Sequence, residues 1–411
     1  MPDAIIFDDG LATLGPLTDL RAAFDVRTGA LTNLERLTRI LKLNILGLVV
    51  PQRLAGIARD THGGLAHAVG HLPSVPSGTL VISARCTLPP TELDELEPGQ
   101  SLIDKSSQGV IAARLKDAHD YAAFFADPQA VARSTGTLVE VERPCLLTHP
   151  WSVRTFRDQC LTTDLVELAA GGENDRIPGV TILGEAPVLI RDDDGARVFP
   201  GVVIDAENGP VVIDEHAVVR PGAVIIGPAY VGQHATVLDR ALIKANTAIG
   251  PHCKLAGEVG GTIFQSHSNK GHDGHLGDAY VGQWVNLGAG TTNSNLLNTY
   301  AEVMMRATPQ SPLERTGQQF MGCIIGDHVK TAICTRIMTG CTLHTGAMFA
   351  ATAAATGNVP PFAWVTDEHA PGSKRYRPDK FLEAMHAVMA RRKLTASPAY
   401  VARITELFAQ G

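Results

Sequence analysis

The sequence predicts a two-part fold: a layered α/β domain, then a parallel β-helix built on six-residue repeats and followed by C-terminal helices. Three observations predict it. From Ile213 to Gly260 an apolar residue recurs at every sixth position: Ile213, Val219, Ile225, Val231, Val237, Ile243, Ile249 and Leu255. Four residues after each stands a second compact side chain: Ala217, Ala223, Ala229, Ala235, Ala241, Thr247, Cys253 and Val259. Ahead of this stretch, short apolar runs alternate with segments of helical spacing. A helix repeats at 3.6 residues and a flat strand at 2, so a strict six fits neither. It fits a coil in which each hexad supplies one strand and one corner, three hexads closing a triangular turn. First-position side chains fill the interior, and the small ones fit the bends. The register returns at Val281 and Leu287, then at Ile325, Thr331, Ile337, Leu343 and Phe349.

The elements follow in order. Residues 4–7 read as a strand ended by the turn Asp8-Asp9-Gly10. Residues 34–43 have helical spacing, 46–50 form a strand stopped by Pro51, and 79–83 a second buried strand. Residues 151–170 read as a helix ended by Gly171-Gly172. Strands alternating with helices predict a largely parallel sheet. The expected boundaries are an α/β domain over 1–175, a bridging segment over 176–200, the coil over 201–358 and a helical extension over 359–411. In the bridge, short strands flank Asp192-Asp193-Asp194-Gly195, an acidic run that reads as a solvated hairpin turn rather than a metal site. Two interruptions break the coil. Residues 261–274 carry two histidines, His267 and His272, and shift the register by two, and 293–323 are polar and should leave the coil. Loops on a regular scaffold are where sites tend to be built. After Pro360-Pro361, residues 378–393 place Phe381, Leu382, Met385, Val388 and Met389 on one helical stripe, with Arg391-Arg392-Lys393 in the last turn. Residues 398–410 form a shorter helix, and both read as a lid on the coil or on a neighbouring subunit.

Composition narrows the function. A net charge of −7 gives no global attraction for nucleic acid or anionic membrane. Forty glycines and 25 prolines suit a coil of many tight corners. Seven scattered cysteines with no CxxC pair suggest neither a disulfide framework nor a zinc finger, and Cys253 and Cys341 fall on small-residue positions, where they serve as buried hydrophobes. With no signal segment and an apolar run at 46–50 too short to span a bilayer, the expected location is the cytoplasm.

The segment Ser268-Asn269-Lys270-Gly271-His272-Asp273-Gly274-His275-Leu276-Gly277-Asp278-Ala279, followed by Asn286-Leu287-Gly288-Ala289-Gly290-Thr291, carries the strongest signal. It resembles the acetyltransferase half of the bifunctional N-acetylglucosamine-1-phosphate uridyltransferase/glucosamine-1-phosphate acetyltransferases, and more closely a shorter bacterial variant grouped with sugar nucleotidyltransferases. The resemblance covers roughly 255–360. It implies a left-handed β-helix, a homotrimer, and acetyl-CoA as co-substrate bound between neighbouring coils. Matched by position, it makes His272 the general base, a role typically worth ~10²–10⁴ in rate. Glu258 would hydrogen-bond that His. Asn286 and Asn295 would contact the acceptor sugar, with Lys270 and His275 beside them. The Ala289 backbone N–H would donate to the thioester oxyanion, with Gly290 next to it on the acyl-CoA side. Two positions depart from the pattern: the family lysine twelve before the base falls on Gly260, and its tyrosine three after falls on His275. Arg220-Pro221-Gly222 resembles a family corner at a different offset, which makes Arg220 an anion-site candidate.

Near the N-terminus, Phe7-Asp8-Asp9-Gly10, Pro16-Leu17-Thr18, Arg21 and Arg27-Thr28-Gly29 resemble the short variant's opening. The family's Gly-x-Gly-Thr-Arg triphosphate loop and following lysine are absent, and Ala84-Arg85-Cys86 stands where a metal-holding Asp is usual. If this domain turns over, Asp8 and Asp9 would hold Mg²⁺, and Arg21 and Arg27 a nucleotide phosphate. The leading expectation is acyl transfer to an amino sugar, sugar phosphate or sugar nucleotide. The alternatives are sugar-1-phosphate nucleotidyl transfer, a metal lyase of the γ-carbonic-anhydrase kind using His234, His267 and His272, and a non-catalytic sugar-nucleotide binder.

Overall fold

The computed structural model describes residues 1–71, 75–117, 120–170 and 177–410; Gly171 and Gly172, expected to end the long helix, lie outside them. The chain divides into two compact units. One takes Met1–Val26, Leu31–His149 and Ala396–Leu407, the other Arg27–Ala30, Pro150–Thr395 and the residues from Phe408.

In the first unit seven strands form one sheet: β1 (Asp3–Phe7), β2 (Asn44–Val50), β3 (Ala66–Ala68), β4 (Leu80–Ser83), β5 (Gln100–Asp104), β6 (Val110–Arg114) and β7 (Thr137–Val141), in the order β3-β2-β1-β4-β6-β5-β7. Pairing is parallel except at β6, which runs antiparallel to β4 and β5. Both faces of β1 and β4 are buried, which explains their unbroken apolar runs. The helix Asn33–Ile40 starts where it does because Thr32 and Glu35 cap each other's backbone N–H groups.

The second unit is the coil. Ile213, Val231 and Ile249 stack in register, three hexads apart each, as do Val219, Val237 and Leu255. All six are fully buried, and so are Ala217, Ala223 and Ala235 at the bends. Cys253 and Cys341 are buried as expected, and burial pushes the Cys253 thiol up to about 12.

Three expectations need correction. The coil starts earlier than 201 and ends later than 358: Thr181–Leu183, Val188–Ile190 and Arg197–Val198 open its three faces, and Trp364–Thr366 still pairs with Met348–Ala350. The bridging segment is therefore coil, and 192–195 is a corner rather than a hairpin, because the strands beside it join different sheets. The helix Ser152–Ala169 is counted with the coil, and most of the last helix, Pro398–Gln410, with the first unit.

Residues 261–274 do not leave the coil. Its turns merely shorten: Ile243 is followed in register by Val259, Ile249 by Phe264, and Leu255 by Lys270. Gly257, at φ +72°, makes one of the tightened corners, a backbone conformation that side chains disfavour. The second interruption does leave, as expected. After Thr292–Asn293 the chain forms an antiparallel pair, Met304–Met305 with Glu314–Arg315, and rejoins at Cys323–Ile325.

One corner carries a column of rings. His216, His234, His252 and His267 stack with centroids 4.6–4.8 Å apart, and Trp284 continues the column 4.5 Å from His267. Each of the five sits at positive φ, so the coil repeat sets the stacking distance. The helix Pro378–Ala390 buries Phe381, Met385 and Met389. Among the described residues no helix is long and apolar enough to cross a membrane.

Candidate functional site

The site grows from the shortened turns. Lys270 occupies the interior position that Leu255 fills one turn earlier, and it is only 2% exposed. An ammonium there needs oxygen partners. It finds two, donating to the carbonyls of Ala256 at 3.1 Å and His272 at 3.0 Å. Burial pushes this lysine down to about 8. Lys270 therefore ties the corner carrying His272 from inside and does not face an acceptor as the sequence suggested.

That corner separates two grooves. The larger, about 720 Å³, has Asn286, Ala289 and Trp284 in its wall beside Lys254, Lys330, Arg391 and Arg392. Burial pushes Lys330 down to about 8, and its Nζ donates to the Trp284 carbonyl at 2.5 Å. Arg392 reaches Asn269 Oδ1 at 3.0 Å. The smaller groove, about 470 Å³, contains Asp239, Asp273 and Gly290. His272, Gly271 and Ala289 border both. One groove is cationic and the other acidic, with an exposed imidazole between them.

Ala289, the expected oxyanion donor, has its two backbone groups in different situations. Its carbonyl accepts from the Cys334 N–H at 2.6 Å, while its own N–H has no hydrogen-bond partner among the described residues. The Gly290 N–H, by contrast, is spent on the Asp273 carbonyl. Asn286 is exposed and its side-chain amide makes no hydrogen bond among the described residues.

Glu258 does not orient His272. Strand pairing sets Glu258 directly opposite His275, and its carboxylate lies 3.3 Å from His275 Nδ1 and 3.1 Å from Lys244 Nζ. The lysine holds this carboxyl below its usual range, and His275 adds to the effect. Among the described residues the His272 side chain makes no hydrogen bond or ion pair. Lys244 stands beside Gly260, where a Cβ would meet its stem at 3.2 Å. Asn295 belongs to this second cluster, its amide donating to Asp278 Oδ2 at 2.7 Å. Asp278 is gripped by Arg154 at 3.0 Å and Arg157 at 2.7 Å from the helix Ser152–Ala169. Arg220, the anion-site candidate, is occupied by Asp239 and lies over the Phe199 ring.

In the first unit the strand order places the carboxyl ends of β1 and β4 side by side, where ligands of open α/β sheets commonly bind. Here Asp9 and Arg85 pair across that point at 2.7 Å, both nearly buried. Asp8 accepts the backbone N–H groups of Gly10 and Ala23, and burial raises its carboxyl. Arg21 donates to the Leu17 carbonyl. Arg27 belongs to the other unit, where it bonds Ala30 and Gln265. The two aspartates are tied into the fold and do not form a free carboxylate pair that fits Mg²⁺.

His234 and His267 stack in the ring column instead of converging with His272. Among the described residues no three His, Cys, Asp or Glu side chains gather in a way that could hold a metal ion. The sequence missed Lys244, Trp284 and Lys330 because nothing local marks them, and only coil stacking brings them to the site. The Arg391-Arg392 pair was visible at a helix end, but its role was not.

A profile described as sugar nucleotidyl transferase matches residues 4–173. No curated protein matches the chain. Among solved structures, the Francisella novicida UDP-N-acetylglucosamine acyltransferase is similar at 15% identity and a TM-score of 0.21, over 56% of this chain and 78% of that one. The profile match supports a sugar-nucleotide-related transferase.

Proposed function

We propose that the coil is an acyl-CoA-dependent transferase, using acetyl-CoA, that acylates an amino sugar or an amino-sugar phosphate or nucleotide. One observation carries the reading: an exposed imidazole and an unpaired backbone N–H share a groove lined by four cationic side chains. The cations suit the phosphates of coenzyme A. The Ala289 N–H suits the oxygen that becomes negative as the thioester is attacked, and fixed donors of this kind are worth ~10²–10³ in rate. His272 takes the proton of the attacking amine and passes it to the departing thiolate. Asp273, on the other side of His272, favours an acceptor that arrives as a cation. Assembly as a homotrimer belongs to the same reading and is supported by Ile333, 73% exposed in the groove wall, and Met338, 44% exposed. Sedimentation would show trimers, and monomers alone would contradict it.

The experiment is release of free CoA from acetyl-CoA in the presence of amino sugars. The wild-type protein should release it, and His272→Ala should cut the rate by ~10²–10⁴. An unchanged rate removes His272 from the chemistry.

A second reading, sugar-1-phosphate nucleotidyl transfer by the first unit, is favoured by the profile match over 4–173. The Asp9–Arg85 pair at the strand ends counts against it. Mg²⁺-dependent pyrophosphate release from a nucleoside triphosphate and a sugar-1-phosphate would restore it.

A further inference from the structure

An amino sugar reaches the enzyme at neutral pH largely as an ammonium ion, which has no lone pair with which to attack. Three protons start on that nitrogen and one remains on the product amide. One of the other two leaves with the thiolate as CoA–SH, by way of His272. The last must be removed before attack, so unless a second base takes it His272 would have to shed it and act again within one turnover.

A second imidazole stands three residues on. We propose that His275, oriented by Glu258, is the residue that deprotonates the acceptor ammonium before His272 acts. The inference rests on the acyl-transfer reading given above.

The geometry supplies each requirement. The Glu258 carboxylate lies 3.3 Å from Nδ1, and a proton held there leaves the lone pair on Nε2. Lys244 grips the same carboxylate oxygen, so the carboxylate is fixed on both sides. The strand His275–Gly277 lays the ring over Gly277, where a Cβ would sit 2.6 Å from His275 Nε2 and 2.9 Å from Asn295 Nδ2. Any larger residue at 277 would fill the space in front of Nε2. Asn295 is itself fixed by Asp278, and Asp278 by Arg154 and Arg157. The charged groups around His275 are thus Glu258, Lys244 and the Asp278–Arg154–Arg157 cluster. The ring remains 32% exposed, on the face next to the corner that carries His272.

In the balanced step, R–NH₃⁺ gives one proton to His275 Nε2, and the free amine then attacks the thioester carbon. The C–S bond breaks as the second proton passes through His272 to sulfur. His275 returns its proton to water.

The test is CoA release across pH by the wild-type protein, His275→Gln and Glu258→Gln, with an amino sugar and separately with hydroxylamine, an amine already neutral at pH 7. With the amino sugar, His275→Gln should lose at least ~10-fold below the acceptor's pKa, and the loss should shrink as pH rises above it. Glu258→Gln should show the same trend more weakly. With hydroxylamine both variants should approach the wild-type rate. A loss that is uniform across pH and acceptors, or no loss, overturns the role of His275 while acyl transfer stands. No release by the wild-type protein overturns both.

Discussion

Two adjacent turns of the same coil behave differently, although their strands pair in the same way. In the turn ending at Leu255 the interior is apolar but for Thr247 at a bend, and each corner falls in the six-residue rhythm. In the next, corners are shortened, Lys270 replaces the leucine, and the outward-facing residues are charged or amide-bearing. A regular repeat provides stability through burial, and its local violation provides a site. The violation is tolerated because the ammonium finds two carbonyls, one of which belongs to His272.

Exchanging the two interior residues tests this contrast. Leu255→Lys places an ammonium where no carbonyl pair is arranged for it and should cost about 3–5 kcal/mol in denaturant unfolding. Lys270→Leu should leave stability within ~1 kcal/mol of wild type or raise it, since apolar replacement of a buried charge is often neutral or favourable. Yet it should lower CoA release ~10-fold or more, because the His272 corner loses its tie and small misplacements weigh heavily on rate. If Lys270→Leu unfolds the protein, the lysine is structural and the contrast fails.

A smaller effect comes from the ring column. Burial holds His267 down to about 4, with His252 and Arg392 adding repulsion, while Ser266 and Trp284 complete its surroundings. The folded value lies below the unfolded one, near 6.5, so the unfolded chain binds more protons between them. Stability contributed by His267 is therefore present above pH 6.5 and is lost as pH falls toward 4. Melting temperature should drop over that window, and His267→Asn, tolerated at φ +54°, should flatten the drop. A variant with the same slope would show that the column does not set acid sensitivity.

The sequence disclosed the coil because its signal is periodic and local. It placed His272, Asn286 and Ala289 in one short stretch of sequence, and stacking of successive turns brings all three to one groove wall. It misassigned Glu258, since which histidine it meets depends on how many residues the intervening turn omits. One residue more would move His275 off its opposite position. Lys270 was misread for the same reason: only register shows whether a lysine points inward. Asp8 and Asp9 were legible as a turn, but the closure of Asp9 by Arg85 needed a residue 76 positions away.

The central claim is that the shortened corner receives the acyl donor. Hydrogen exchange with and without saturating acetyl-CoA tests it most directly. The account predicts new protection concentrated in 269–290 and around Arg391 and Arg392. No protection there, or protection confined to β1 and β4 of the first unit, would contradict it.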